Sequence, residues 1–245
     1  MRILLLVALL VLPTLGYTDE RSAATGHIVA LETFDNYQPA TFPGQWEVRG
    51  DEREARVVYR IAEESGNRFL HARAEKQEVQ IGLSHVFAPE EFPILRWRWR
   101  VEQLPAGADE RTVQTNDSAA AVYVIFDNRI LPRAIKYVWS STLPAGTRID
   151  SPVYWRAKVV VLESGASGLG EWRQETVNFY QDYKELFGAE PGEVQGIAVL
   201  TDAGTTATVA EADYDDFTLL PPHTLPTEAV KEVTARLSPN LTGAQ

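Results

Sequence analysis

Between residues 28 and 220 the chain is a succession of short runs in which apolar and polar positions alternate. That two-residue period is the signature of strands with one face buried. The runs are Ile28–Phe34, Arg56–Ile61, Phe69–Ala74, Val79–Leu83, Ile94–Val101, Ala119–Phe126, Ala134–Trp139, Val153–Leu162, Trp172–Val177, Val194–Thr201 and Tyr214–Leu220. Turn-forming stretches separate them: Ser65-Gly66-Asn67, Pro105-Ala106-Gly107, Pro144-Ala145-Gly146, Ser164-Gly165 and Pro191-Gly192. Many short strands with regular turns, and no long helices between them, predict an all-β sandwich or barrel. One short helix is expected at Tyr180–Phe187, closed by Gly188.

Two runs carry more detail. In Arg96-Trp97-Arg98-Trp99-Arg100 the tryptophans share a face with Leu95 and Val101, and three arginines share the other. One reading is a core face and a solvated face whose arginines pair with neighbouring acids. The other is an arginine-lined sheet that binds an anion, a uronic acid or phosphate, because guanidinium forks suit such oxygens. Ala119–Phe126 has apolar residues of both parities, so a central strand buried on both faces is expected, with alanines where something packs close.

The ends differ from the middle. Arg2 precedes the ten apolar residues Ile3–Leu12, then Pro13 and the small-residue stretch Thr14-Leu15-Gly16. A charged start, a short apolar core and a small-residue exit read as a secretory signal peptide over residues 1–16, with the mature chain periplasmic or secreted. Ten apolar residues are too few to span a bilayer, and no later run is longer, so no transmembrane segment is expected after cleavage. Residues 17–26 read as a linker, 27–220 as one sandwich domain and 221–245 as a tail, with a short amphipathic helix at Thr227–Leu237.

The 245 residues carry 23 Lys and Arg against 34 Asp and Glu, a net charge of −11, which argues against nucleic acid as a partner. The absence of cysteine excludes disulfides, thiol catalysis and thiolate metal sites. The histidines, His27, His71, His85 and His223, have no Gly-x-Ser-x-Gly or His-Glu-x-x-His context, and no nucleotide-binding loop occurs. Aromatics are better candidates, since sugar C–H faces stack on rings. Trp172 follows Gly168-Leu169-Gly170 at a loop edge, and Tyr180 lies just beyond that strand. The candidate ligand-binding set is Arg96, Arg98, Arg100, Trp172 and Tyr180. Were the chain a hydrolase or lyase, Glu163, Glu171, Glu175 and Asp182 border these rings and would be its acids.

Several segments together resemble a secreted bacterial family, domain-of-unknown-function family 3047. They are Leu95–Val101, Asn116-Asp117-Ser118-Ala119-Ala120, Val122–Phe126, Tyr137-Val138-Trp139, Val161–Gly165, Leu169-Gly170-Glu171-Trp172, Asp182–Gly188, Gly196–Asp202 and Tyr214-Asp215-Asp216. Where the family continues the Thr201-Asp202 pair with further Asp and Asn residues, this chain has Ala203-Gly204-Thr205. The resemblance implies an exported β-sandwich and no established activity. The two ends, Leu31-Glu32-Thr33-Phe34-Asp35 with Trp46 and Ala212–Phe217, are similar to galactose-binding-like jelly rolls. That similarity implies that the first and last strands pair, and that an acid from each could hold a structural calcium. Asp215, expected to face inward with Phe217 and Leu219, is the first candidate; Glu32, Asp35 and Asp216 follow. The function expected is a non-catalytic binding protein for a carbohydrate or other polar or anionic ligand. The alternatives are a structural or protein-interaction module of the cell envelope, and a polysaccharide-active hydrolase or lyase.

Overall fold

The computed structural model describes residues 27–127 and 130–222. The signal peptide expected over 1–16, the linker over 17–26 and the helix at Thr227–Leu237 lie outside the described residues. In chain order the elements are β1 (Val29–Glu32), β2 (Glu47–Arg49), α1 (Glu52–Val58), β3 (Tyr59–Glu64), β4 (Asn67–Glu75), β5 (Glu78–Phe87), β6 (Ile94–Gln103), β7 (Ala120–Phe126), β8 (Arg133–Ser140), β9 (Arg148–Asp150), β10 (Ala157–Ser164), β11 (Arg173–Asn178), α2 (Phe179–Phe187), β12 (Val194–Asp202) and β13 (Val209–Leu220).

The strands form two sheets packed face to face, the all-β sandwich with jelly-roll character that the alternation and the paired chain ends led us to expect. One sheet has six strands in the order β11-β6-β13-β4-β3, with β1 paired to β13, so first and last strands do meet. The other has seven, in the order β2-β5-β12-β7-β8-β10-β9. Pairing is antiparallel except between β8 and β10, which run parallel. The segment between them crosses over and contributes β9 to the edge. Parallel neighbours need such a long connection.

Between the sheets lie Trp97, Trp99, Tyr137 and Trp139, all fully buried. Trp97 and Trp99 meet edge to face at 5.4 Å, an arrangement the ring quadrupoles favour. Two core tyrosines tie the layers together through their hydroxyls. Tyr59 on β3 donates to the Val79 carbonyl of β5 (2.7 Å) and accepts from the Thr201 amide of β12 (3.3 Å). Tyr214 on β13 donates to the Leu200 carbonyl (3.1 Å) and accepts from the Ala121 amide (3.3 Å). A buried hydroxyl without a partner costs about 1–3 kcal/mol, so these bonds let the rings fill the core without that loss. Burial holds both phenols above their ordinary pKa. The helix expected at Tyr180–Phe187 is α2, ended by Gly188 at φ 64°. β7 sits inside the seven-stranded sheet with Ala120 toward the core and Ala121 beneath a small outer cluster with Val138, Leu143 and Leu200.

Two local expectations are corrected. The strand expected over Arg56–Ile61 begins only at Tyr59, because Asp51 caps a helix, its carboxylate accepting from the Arg53 and Glu54 amides at 2.7 and 3.0 Å. Asp215 does not share a face with Phe217. Asp216 takes a left-handed conformation (φ 55°) and shifts the β13–β6 register between Asp215 and Thr218. That bulge turns Asp213 and Asp215 outward, beside the arginines of β6, while Tyr214, Phe217 and Leu219 point into the core.

Candidate functional site

The outer face of the six-stranded sheet is a ladder of charge set by strand register. β13 places Asp215 opposite Arg98 and Asp213 opposite Arg100. β4 places His71 opposite Asp213 and Arg73 opposite Glu211. The geometry follows. Arg98 Nη2 lies 2.5 Å from Asp215 Oδ2, which also accepts from Asn67 Nδ2 at 2.9 Å. Arg98 Nε lies 2.9 Å from Asp216 Oδ2, a contact of charges without hydrogen-bond alignment. Arg100 donates to Asp213 (2.8 Å) and Glu64 (3.1 Å) and contacts Glu102 at 3.0 Å. His71 Nδ1 lies 2.8 Å from Asp213 Oδ1. Burial pushes the Asp215 carboxyl up, against the pull of Asn67 and Arg98.

Trp172 completes this arrangement from the start of β11. The Arg98 and Arg100 guanidinium carbons sit 4.7 and 4.9 Å from its ring centroid, and Phe69 meets it edge-on at 5.3 Å. Two of the three arginines are therefore matched to carboxylates and covered by an indole. Trp172 is half-buried and occupied by these cations.

Arg96 differs. Among the described residues no acid pairs with it. Thr218 of β13 lies opposite on one side and Thr176 of β11 on the other, where its neighbours have Asp215 and Gln174. Arg96 lines a cleft of about 330 Å³ with Arg98, Gln174, Asp216, Thr218 and part of Trp97. The Asp216 bulge delivers a carboxylate to this cleft that regular pairing would not. Thus a guanidinium, a carboxylate, a carboxamide and a hydroxyl converge on one recess.

The remaining candidates lie elsewhere. Tyr180 donates to Glu190 at 2.7 Å, with Lys184 Nζ 5.3 Å from its ring. The hydrogen bond to Glu190 is the main cause of its raised pKa. Glu32 accepts from the Thr33 and Phe34 amides, the Tyr37 hydroxyl and the Trp46 indole at 2.8–3.2 Å. Asp35 faces the Arg68 amide at 3.4 Å. With Asp215 and Asp216 held against Arg98, the four acids considered for calcium meet protein donors, and no group of three or more His, Cys, Asp or Glu suited to a metal occurs among the described residues. Of the acids considered for hydrolysis, Asp182 binds Tyr137 and Arg148, Glu171 binds Arg173, and Glu175 accepts from Trp99.

The model of the family described as Protein of unknown function (DUF3047) matches residues 44–218. The chain belongs to this family. The comparison with curated proteins found no match. Three solved structures share a distant likeness of backbone arrangement. A family 30 carbohydrate-binding module of a cellulosomal cellulase of Clostridium thermocellum is 10% identical, over 80% of this chain and 99% of that one, with a TM-score of 0.40. The Emp47p carbohydrate recognition domain is 9% identical over 78% and 94%, at 0.36. The family 11 xylanase from Neocallimastix patriciarum is 10% identical over 80% and 95%, at 0.35.

The DUF3047 region also holds a polar network that the sequence reading did not assemble, on the outer face of the seven-stranded sheet. Lys136 on β8 is buried and donates to Ser118 Oγ at 3.0 Å. Ser118 and Ser140 both donate to Glu110, at 3.2 and 2.6 Å. Burial opposes the charge on Lys136, but Tyr123, Asp202 and Glu110 outweigh it and hold the ammonium above its ordinary pKa. Nearby, Asp117 accepts from the Thr205 and Thr206 amides at 3.1 and 2.7 Å and from the Asp202 carboxyl. Despite burial, these bonds keep Asp117 below the usual carboxylate range. Asp202 is pushed up to about 8, chiefly by burial and further by the Asp117 and Glu78 charges. It is therefore the protonated partner at neutral pH. The one available signal was parity: Lys136 and Ser140 alternate with core aromatics in a strand flanked by apolar neighbours.

Proposed function

We propose that this chain is an exported binding protein for an anionic carbohydrate, a uronic-acid-containing glycan, and that it holds one acidic sugar in the Arg96 cleft. The observation that carries this reading is that Arg96 lines the cleft and, unlike Arg98 and Arg100, has no carboxylate partner among the described residues. A guanidinium fork matches a carboxylate with two parallel hydrogen bonds. The other lining groups favour a sugar over a phosphate. Asp216 and Gln174 accept from hydroxyls, whereas the Asp216 charge opposes a dianion beside it. The cleft volume is at the lower end of the range of about 300–1,000 Å³ typical of small-molecule sites, which suits one ring of a longer chain.

The test is calorimetric titration of the parent and of Arg96→Ala with galacturonate and glucuronate oligomers. A charge-assisted hydrogen bond contributes about 1.5–3 kcal/mol, so Arg96→Ala should weaken binding roughly 10- to 100-fold. Equal binding by parent and variant would refute the site, and no binding of either oligomer to the folded parent would refute the ligand class.

A further inference from the structure

The Arg96 cleft has a neighbour on the same face of the six-stranded sheet. Ala30 of β1 stands opposite Thr218 of β13, and Thr218 stands opposite Arg96 of β6. The three therefore share one cross-strand row, with Ala30 two strand spacings, about 10 Å, from Arg96. Val29 and Leu31 pack against the core, so Ala30 between them points outward, and it is exposed. Thr218 borders the Arg96 cleft. Ala30 borders a second cleft, of about 250 Å³, together with Glu32, Thr33, Asn36, Tyr37 and Gln45. Adjacent residues of one row thus edge two recesses.

A strained turn shapes the second cleft. Phe34 is fully buried at φ 58°, a left-handed conformation that a bulky residue rarely adopts. Three contacts hold it there. Its amide donates to Glu32 at 2.8 Å, its carbonyl accepts from the Tyr37 amide at 3.2 Å, and its ring stacks on Trp46 at 5.7 Å. The turn brings Tyr37 back to β1, where its hydroxyl donates to Glu32 at 3.2 Å. Arg68 fixes the turn through the Asp35 and Tyr37 carbonyls, both at 3.0 Å. A recess held in this way is formed before a ligand arrives, which lowers the entropy lost on binding.

The chemistry of this recess differs from that of its neighbour. No cation lines it. Its one carboxylate, Glu32, accepts four protein hydrogen bonds, which use the lone-pair positions such a group offers. Burial, and then the Glu32 charge, push the Tyr37 phenol up to about 12, so it is neutral. The Asn36 and Gln45 side chains are exposed and bond to no protein group among the described residues. Each carboxamide offers one acceptor and two donors, the complement of paired sugar hydroxyls. A second acidic sugar would meet the Glu32 charge here with no guanidinium to receive it.

We propose that the second cleft holds an uncharged sugar of the same glycan whose acidic sugar lies in the Arg96 cleft, so that the ligand is a chain of mixed acidic and neutral sugars. This rests on the acidic-sugar reading of Arg96 and adds the composition of the ligand beside it. A glycan crossing the strands from β6 to β1 enters both recesses in turn.

The experiment is calorimetric titration with three β-1,4-linked tetramers: glucuronate throughout, glucose with one glucuronate at the non-reducing end, and glucose with one glucuronate at the reducing end. At least one mixed tetramer should bind the parent about tenfold more tightly than the all-glucuronate tetramer, the gain expected of two carboxamide hydrogen bonds and a relieved contact between like charges. In the double variant Asn36→Ala with Gln45→Ala that preference should shrink to within about threefold, whereas Arg96→Ala should weaken all the tetramers. Both carboxamides are exposed, and thermal melts establish that each variant is folded. Equal binding of mixed and all-glucuronate tetramers by the parent, or a preference that survives the double substitution, overturns the proposal and leaves the Arg96 reading standing. Failure of every tetramer to bind the folded parent, or binding that Arg96→Ala leaves unchanged, overturns the Arg96 reading and this inference with it.

Discussion

Replacing Asp202 by Asn tests the buried network most sharply. Asp202 is 1% exposed and its carboxyl pKa is pushed from the ordinary 3.8 to about 8, first by burial, then by Asp117 and Glu78, against the pull of the Gly204 amide and Lys136. Between those two values the folded chain holds a proton that the unfolded chain has released. The stabilisation is thus complete below about pH 4 and is lost as the pH rises through about 8. At most 1.36 kcal/mol is lost per pH unit, so about 4 kcal/mol is the ceiling between pH 5 and 8, and relaxation around the charged form reduces this to about 2–4 kcal/mol. Asp117, held low, titrates below this window and leaves it unaffected. Asparagine mimics the protonated acid: its oxygen accepts from Gly204 and its amide donates to Asp117. The assay is urea unfolding of parent and Asp202→Asn from pH 5 to 8. Every other residue is common to both proteins, so the difference between them isolates residue 202. The parent should lose about 2–4 kcal/mol more than the variant across the window, and the two should agree within about 1 kcal/mol at pH 5. Parallel profiles would show that Asp202 is charged in the fold and refute the reasoning.

Other consequences concern the arginine row and the chain ends. Arg98→Ala strands the fully buried Asp215 carboxylate and should cost about 3 kcal/mol, a fall of roughly 6–12 °C in Tm, whereas Arg96→Ala should move Tm by less than about 2 °C; equal shifts would show that the row is not divided as described. Because Glu32 and Asp215 already meet protein donors, EDTA should leave Tm unchanged, and a drop of several degrees would reveal a cation holding them. Expressed with its own N-terminus in a Gram-negative host, the chain should be recovered from the periplasm with a new N-terminus near Tyr17; an intact Met1 on cytoplasmic material would contradict the export reading.

Alternation alone located most strands, because a two-residue period leaves little freedom once one face must be dry. It also separated Trp97 and Trp99 from Arg96, Arg98 and Arg100 correctly, since β6 is regular across those residues. It failed where a single residue departs from the period. The left-handed Asp216 reverses the parity of the residues before it on β13, so Asp215 lies on the opposite face from the one simple alternation predicts. A short capped helix hid behind the apparent strand at Arg56–Ile61 for a similar local reason. The candidate site was half legible. Register decides which arginine faces an acid: Thr218 stands opposite Arg96 where Asp215 stands opposite Arg98, and pairing across strands more than a hundred residues apart is not written in either strand. Trp172 reads as an exposed platform until its approach to Arg98 and Arg100 is known. The Lys136 network draws on the loop before β7, two strand ends and β8, so no local pattern announces it.

The most direct measurement of the central claim follows the arginine side chains themselves. In a 15N-labelled sample, the Nε–Hε resonances of Arg96, Arg98 and Arg100 are assigned by single substitution and followed during titration with a glucuronate or galacturonate oligomer. The Arg96 resonance should shift saturably, with those of Arg98 and Arg100 moving far less because Asp215, Asp213 and Trp172 already hold them. Saturable shifts at Arg98 and Arg100 with Arg96 unmoved would contradict the account.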